Sequence, residues 1–125
     1  MRRTILLIED NEQNRYLATY LLERHGYHVI AAEDGARGID IARSCVPDIV
    51  LLDIQLPTLD GYQVARLLRN IEELRATPII AVTSYAMAGD REKCLNAGCN
   101  GYIEKPINPD TFVSEIERYG PAPGL

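Results

Sequence analysis

The stretch Asp48–Gln63, DIVLLDIQLPTLDGYQ, decides how this chain folds. Its apolar run, Ile49 to Leu52, is uninterrupted and stops at Asp53. A run that is apolar at every residue suits a strand covered on both faces, as in the middle of a parallel sheet. Pro57 and Gly61 then break the chain. Val64, Leu67, Leu68 and Ile71 follow at i, i+3, i+4 and i+7, the stripe of an amphipathic helix. Strand, loop and helix in this order make one βα unit.

The same alternation runs outward in both directions. Thr4 to Ile8 reads as a strand, and residues 14–24 as a helix with Leu17, Tyr20 and Leu21 on one face, stopped by Gly26. A shorter strand covers 28–31, and a helix covers 35–44 with Ile39 and Ala42 at helical spacing. Pro78 opens a strand over 79–82. The next helix, near 90–97, has a thin apolar stripe of Met87, Cys94 and Leu95, so it should be the least buried. A strand at 101–103 and a helix at 110–119, using Phe112, Ile116 and Tyr119, complete the pattern. Five βα units without repeat or linker predict an α/β protein with right-handed crossovers. The expected fold is a flavodoxin-like (βα)5 doubly wound parallel sheet in strand order 2-1-3-4-5. One domain is expected over 1–119, and GPAPGL at 120–125 reads as a disordered tail.

The chain has 125 residues, enough for one domain with a real core. Its 18 acidic and 13 basic residues give a net charge of −5 with no basic block, which argues against direct nucleic-acid or membrane-surface binding. No apolar stretch approaches the roughly 20 residues that cross a bilayer. The N-terminus, MRRTILLIEDNEQ, places acids directly after its apolar run and has no small-residue cleavage site, so it reads as a first strand rather than a signal peptide. A cytoplasmic location is expected. Cys45, Cys94 and Cys99 are odd in number, lack metal-ligand spacing and read as reduced thiols. His25 and His28 flank a helix end, where an imidazole is favoured by the dipole, and read as surface groups.

Chemistry-bearing residues stand where the strands stop. Glu9 and Asp10 follow the first strand, Asp53 the third, Thr83 the fourth and Lys105 the fifth. In the order 2-1-3-4-5 the topological switch point lies between strands 1 and 3, beyond their C-terminal ends, and ligands bind there. Adjacent strands are about 4.8 Å apart. Carboxylates so placed raise a pKa or recruit a cation. Magnesium accepts oxygen ligands and keeps several waters. The expected ligands are the Asp10 and Asp53 carboxylates directly, Glu9 mainly through water, and a backbone carbonyl just past Asp53, taken as that of Gln55. Asp53 is then placed as a nucleophile toward phosphorus. Lys105 and the Thr83 hydroxyl are placed to face phosphoryl oxygens. The chain offers an acceptor and stabilising groups but no donor.

From Ile5 to about Tyr119 the chain resembles the receiver domain of bacterial response regulators. LLIEDN, DIVLLDIQLPTLDGYQ, PIIAVTSYA and GYIEKPI look like that family's blocks, in order. The resemblance implies a two-component phosphorelay role in which Asp53 takes a phosphoryl group from a histidine kinase or histidine phosphotransfer protein. It implies that Glu9 and Asp10 hold Mg2+, that Thr83 and Lys105 read the phosphate, and that the backbone N–H groups of Ile54 and Ser84 bind its oxygens. It implies a cis Lys105–Pro106 bond. It implies a switch in which Thr83 moves and Tyr102 turns inward, reported through helix 4, strand 5 and helix 5 to a downstream protein target. Gln55 and Tyr85 would flank the mouth and tune dephosphorylation. Such a chain catalyses only its own modification, is no turnover enzyme, and is a monomer or weak dimer. DIQLP and AMAGD look closest to stand-alone receivers, and a segment of a hybrid kinase or longer regulator has the same features. Two other classes share parts of the pattern. A flavin carrier needs a hydroxyl- and glycine-rich phosphate loop, where this chain has Glu9-Asp10-Asn11-Glu12. An aspartyl-phosphate hydrolase commonly has a second acid two residues past its nucleophile, where this chain has Gln55.

Overall fold

The computed structural model describes residues 3–84 and 88–119, with the backbone alone at Ala88. Tyr85, Met87 and the tail 120–125, which entered the expectations above, lie outside the described residues. The elements are β1 (Thr4–Ile8), α1 (Glu12–Arg24), β2 (His28–Ala32), α2 (Gly35–Cys45), β3 (Ile49–Asp53), α3 (Gly61–Arg69), β4 (Ile79–Thr83), α4 (Ala88–Asn96), β5 (Gly101–Glu104) and α5 (Phe112–Tyr119), with a 3-10 turn at Glu72–Leu74. Every strand pair is parallel and the order is β2-β1-β3-β4-β5, as the alternation predicts.

The pleat of the central strands divides the core. Leu6, Ile8, Val50, Leu52, Ile79 and Ala81 face one side, where α2, α3 and α4 supply Ile39, Ala42, Val64, Leu68 and Cys94. Ile5, Leu7, Ile49, Leu51, Ile80 and Ile103 face the other, where α1 and α5 supply Ala18, Leu22, Phe112 and Ile116. Both faces of β3 and β4 are therefore covered, and every residue of those two strands is buried.

Helix ends carry their own signals. Asn11 caps α1 by accepting from the Asn14 N–H. Gly26, at φ +88°, ends that helix, its N–H donating to Glu23 O while the Tyr27 N–H donates to Leu22 O. Asp60 and Gln63 form a reciprocal capping box at α3. His25 donates from Nδ1 to Leu21 O (2.9 Å) at the α1 terminus, and His28 opens β2; both residues are exposed.

Four details depart from the periodicity. α1 begins at Glu12 rather than residue 14, and α5 at Phe112 rather than 110. The buried line of α1 is Ala18 and Leu22, while Tyr20 turns to solvent, where its hydroxyl accepts from Arg24 (2.8 Å). A small residue at 18 lets the helix approach the sheet, which rotates the aromatic outward. In α3 the buried line is Val64, Ala65 and Leu68; Leu67 is exposed, and Ile71 is buried just past the helix. α4 is thinly packed, as expected: Cys94 is its one buried side chain among the described residues.

Arg69, at the end of α3, joins the ends of the chain segments that enter β4 and β5. Its guanidinium donates to the carbonyls of Leu74 (2.8 Å), Arg75 (3.1 Å), Thr77 (2.9 Å) and Gly98 (2.6 and 3.1 Å), and to Asn100 Oδ1 (2.9 Å). Only a planar fork with five N–H groups can serve so many acceptors at once.

Candidate functional site at the carboxyl edge of the sheet

Strand register brings the expected residues together. Ile8 pairs with Leu52, so Glu9 and Asp53 leave the sheet side by side. Asp53 pairs with Val82 and Thr83 with Glu104, so Thr83 and Lys105 each stand one residue further out. Glu9, Asp53 and Thr83 are buried polar groups at 3%, 2% and 1% exposure, whereas Asp10 is exposed.

The loops are held in place around them. Arg15, from the first turns of α1, donates to the carbonyls of Glu9 (3.0 Å) and Asp10 (3.2 Å), fixing the acid pair. Asn11 donates its N–H to Glu9 Oε2 (3.2 Å). Beyond β3, the Gly61 N–H donates to Ile54 O (2.9 Å), and a Cβ at Gly61 would collide with Ile54 Cα and lie 2.7 Å from the Asp53 carbonyl oxygen. Only glycine allows α3 to start so close to the loop that carries Asp53.

Lys105 spans the two buried acids, its Nζ 3.0 Å from Asp53 Oδ2 and 3.2 Å from Glu9 Oε1. Burial would lower the ammonium's pKa, but hydrogen bonds and charges from Asp53 and Glu9 outweigh it and hold it above the ordinary lysine value. Glu9 behaves in the opposite sense. Burial first, then the hydrogen bond to Asp53 and its charge, push its carboxyl up to about 7, against the Asn11 N–H and Lys105. Near neutrality, then, Glu9 is part protonated beside the ammonium.

One carboxylate oxygen from each of Glu9, Asp10 and Asp53 lies within 4.8 Å of the other two. Oxygens around an octahedral Mg2+ are about 2.9 Å apart when adjacent and about 4.1 Å when opposite. The hard, anionic donor set suits that ion.

The backbone donors are arranged differently from the expectation. The Ile54 N–H continues the sheet ladder and donates to Val82 O (3.1 Å). The N–H that meets the Asp53 carboxylate is that of Gln55, at 2.9 Å from Oδ1. Ser84 is also engaged: its N–H (3.2 Å) and hydroxyl (2.9 Å) both donate to the Gln55 side-chain oxygen. Sequence reading missed this bridge and the Arg15 brace. Asn11, four residues before Arg15 and just past the acid pair, was the available sign that a helix begins there. The Lys105–Pro106 bond is cis. Tyr102 is half-buried on β5, with the Arg91 guanidinium of α4 over its ring at 5.7 Å.

Residues 5–117 match the model of the response regulator receiver domain. The chain belongs to that family, and it is a receiver domain of two-component signalling. It is 43% identical over 119 residues to the polar-differentiation response regulator DivK of Brucella ovis, covering 95% of this chain and 97% of that one. The receiver domain of the sensor histidine kinase PA1611 from Pseudomonas aeruginosa, solved with a magnesium ion in its active-site cleft, is 39% identical. It superposes with a TM-score of 0.87, covering 95% of this chain and 98% of that one. A chain in the complex of the Saccharomyces cerevisiae phosphotransfer protein Ypd1 with the receiver domain of its downstream regulator Ssk1 is 26% identical. Its TM-score is 0.86, over 95% of this chain and 89% of that one. No helix among the described residues is long and apolar enough to cross a membrane.

Proposed function

We propose that Asp53 accepts a phosphoryl group from a phosphohistidine, carried by a histidine kinase or a histidine phosphotransfer protein, and that this changes which protein the domain binds. The observation that carries the reading is the buried Asp53 carboxylate, held between the Glu9–Asp10 pair and Lys105 at the switch point of the sheet. The magnesium-bound PA1611 receiver and the Ypd1–Ssk1 complex support the metal and the class of donor.

An Asp53 carboxylate oxygen attacks phosphorus; the phosphorus–nitrogen bond breaks, its electron pair returning to the imidazole. Glu9, Asp10, Asp53 and the Gln55 carbonyl would hold Mg2+, which would supply positive charge against the phosphoryl oxygens. Lys105, already 3.0 Å from Asp53, is a second such charge. Thr83 turns its hydroxyl to a phosphoryl oxygen. Ser84 can offer its N–H only by leaving the Gln55 side-chain oxygen, so Gln55 stands in for phosphate in the unmodified chain.

The output face is α4, β5 and α5. There a shallow polar groove of about 420 Å³ is lined by Arg91, Tyr102, Glu104, Thr111, Glu115 and Tyr119. Inward rotation of Tyr102 would separate its ring from Arg91 and reshape that groove for a downstream protein. The domain works in the cytoplasm as a monomer or weak dimer, touches neither nucleic acid nor membrane, and turns over no separate substrate.

The test is intact mass after incubation with magnesium and a small phosphodonor such as acetyl phosphate. One phosphoryl group per chain should appear, and none in Asp53→Ala. Absence of any adduct in the folded, magnesium-loaded protein sinks the proposal.

A further inference from the structure

The three cysteines differ sharply in environment: Cys45 is exposed, while Cys94 and Cys99 are buried on the α3–α4 side of the sheet. The last two occupy the corresponding positions of one helix-ending motif. Gly98, at φ +108°, donates its N–H to Leu95 O (3.1 Å), and the Cys99 N–H donates to Cys94 O (3.0 Å). In this motif the side chains of the two residues that the outer bond joins, five apart in sequence, commonly meet. Here that meeting is thiol to thiol, and each sulfur is near enough to act on the other's ionisation. A disulfide needs Cα atoms roughly 4.4–6.8 Å apart. The backbone hydrogen bond between the two cysteines themselves brings their main chains together, as such a bridge requires.

The neighbours give the two thiols different roles. The Tyr62 hydroxyl and the Cys99 thiol both favour negative charge on the Cys94 sulfur. The Arg69 guanidinium acts on Cys99 in the same sense. Burial nevertheless holds both thiols above their ordinary value, Cys99 at about 12. The pair is therefore slow to react and protected from bulky reagents. Cys94 is the one buried side chain of α4 among the described residues, so local opening of this helix is what would expose it.

We propose that Cys94 and Cys99 form a redox site, with Cys94 as the reacting thiol and Cys99 as the resolving one, taking hydrogen peroxide as oxidant. The Cys94 thiolate attacks one peroxide oxygen, the O–O bond breaks, and after proton transfer water leaves with Cys94 as sulfenic acid. The Cys99 sulfur then attacks Cys94 Sγ and displaces the hydroxyl, which takes the thiol proton and leaves as a second water. Two hydrogens are lost from the protein, and the C-terminus of α4 becomes covalently joined to the segment that enters β5. A thiol reductant reverses the reaction. This site stands apart from Asp53 and does not depend on its phosphorylation.

The experiment uses the full chain with Cys45→Ser, which removes the exposed thiol. The folded protein is treated with hydrogen peroxide, and its intact mass and non-reduced peptides are measured. The expected result is loss of two hydrogens, a Cys94–Cys99 cross-linked peptide, and recovery with dithiothreitol. With Cys99→Ser added, one oxygen should be gained on Cys94 and no cross-link formed. With Cys94→Ser added, neither should appear. Cross-linking seen only after denaturation overturns the proposal. Oxidation that adds oxygens to the folded Cys45→Ser chain with no loss of hydrogens overturns it as well.

Discussion

Lys105→Met separates the electrostatic role of the lysine from its size, because methionine keeps an unbranched apolar stem. The ammonium is 3.0 Å from Asp53 and 3.2 Å from Glu9, all three groups being largely withdrawn from water. Near pH 6 Glu9 keeps its proton, since its carboxyl sits at about 7. The substitution then costs mainly the pair with Asp53, about 1.5–3 kcal/mol. At higher pH the sign follows from linkage. The ordinary carboxyl value of Glu9 is 4.5, so the folded state holds this proton more tightly than the unfolded one. Stability contributed in this way is present at low pH and lost as pH rises through about 7. Without the lysine the proton is held to still higher pH, so the variant goes on losing stability where the parent has stopped. The gap should widen by about 1.4 kcal/mol per pH unit above 7 until Glu9 ionises. Urea unfolding at pH 6 and pH 8, with and without magnesium, reads it directly. Magnesium should close most of the gap, because another cation then serves the acids. An equal deficit at pH 6 and pH 8 in the metal-free protein would refute the reasoning.

Other outcomes follow from the same geometry. Arg69→Ala leaves the part-buried carbonyls of Leu74, Thr77 and Gly98 without their donor and should cost about 3–4 kcal/mol, with Lys a poor replacement. A denaturation midpoint equivalent to less than about 1 kcal/mol of loss would remove the clamp from consideration. Gln55→Leu should accelerate amide exchange at Ser84 in the unmodified chain and speed adduct formation on Asp53; unchanged Ser84 exchange would count against the bridge. Val46, half-exposed at φ +45°, is strained as a β-branched residue, so Val46→Asn should stabilise by about 0.5–1 kcal/mol, seen as a higher melting temperature.

The sheet was legible because β1, β3 and β4 are buried on both faces and read as unbroken apolar runs, each followed or ended by a residue of different chemistry. Glu9, Asp53, Thr83 and Lys105 could be found as those terminators, and the parallel register does the rest. Helix orientation was less legible. Periodicity identifies an apolar sector but not the line of closest approach, so Tyr20 and Leu67 were placed inward while Ala18 and Ala65 took the contact. The start of α1 was missed because its first turn is entirely polar, with Asn11 rather than an apolar residue marking it. Arg69, Arg15 and the Gln55–Ser84 bridge act on backbone carbonyls, a backbone N–H and an exposed hydroxyl. Such partners leave no pattern along the chain.

The Arg69 clamp has a mechanical meaning for the domain. It gathers the entrances of β4 and β5 at the edge of the sheet opposite Asp53, with its shortest contact to Gly98. That edge is a pivot. A force applied at Thr83 or Lys105 cannot slide these strands lengthwise without tearing the guanidinium from several oxygens together. It must tilt them about their anchored ends, so displacement grows with distance from Arg69 and is greatest at the loops where a partner would feel it.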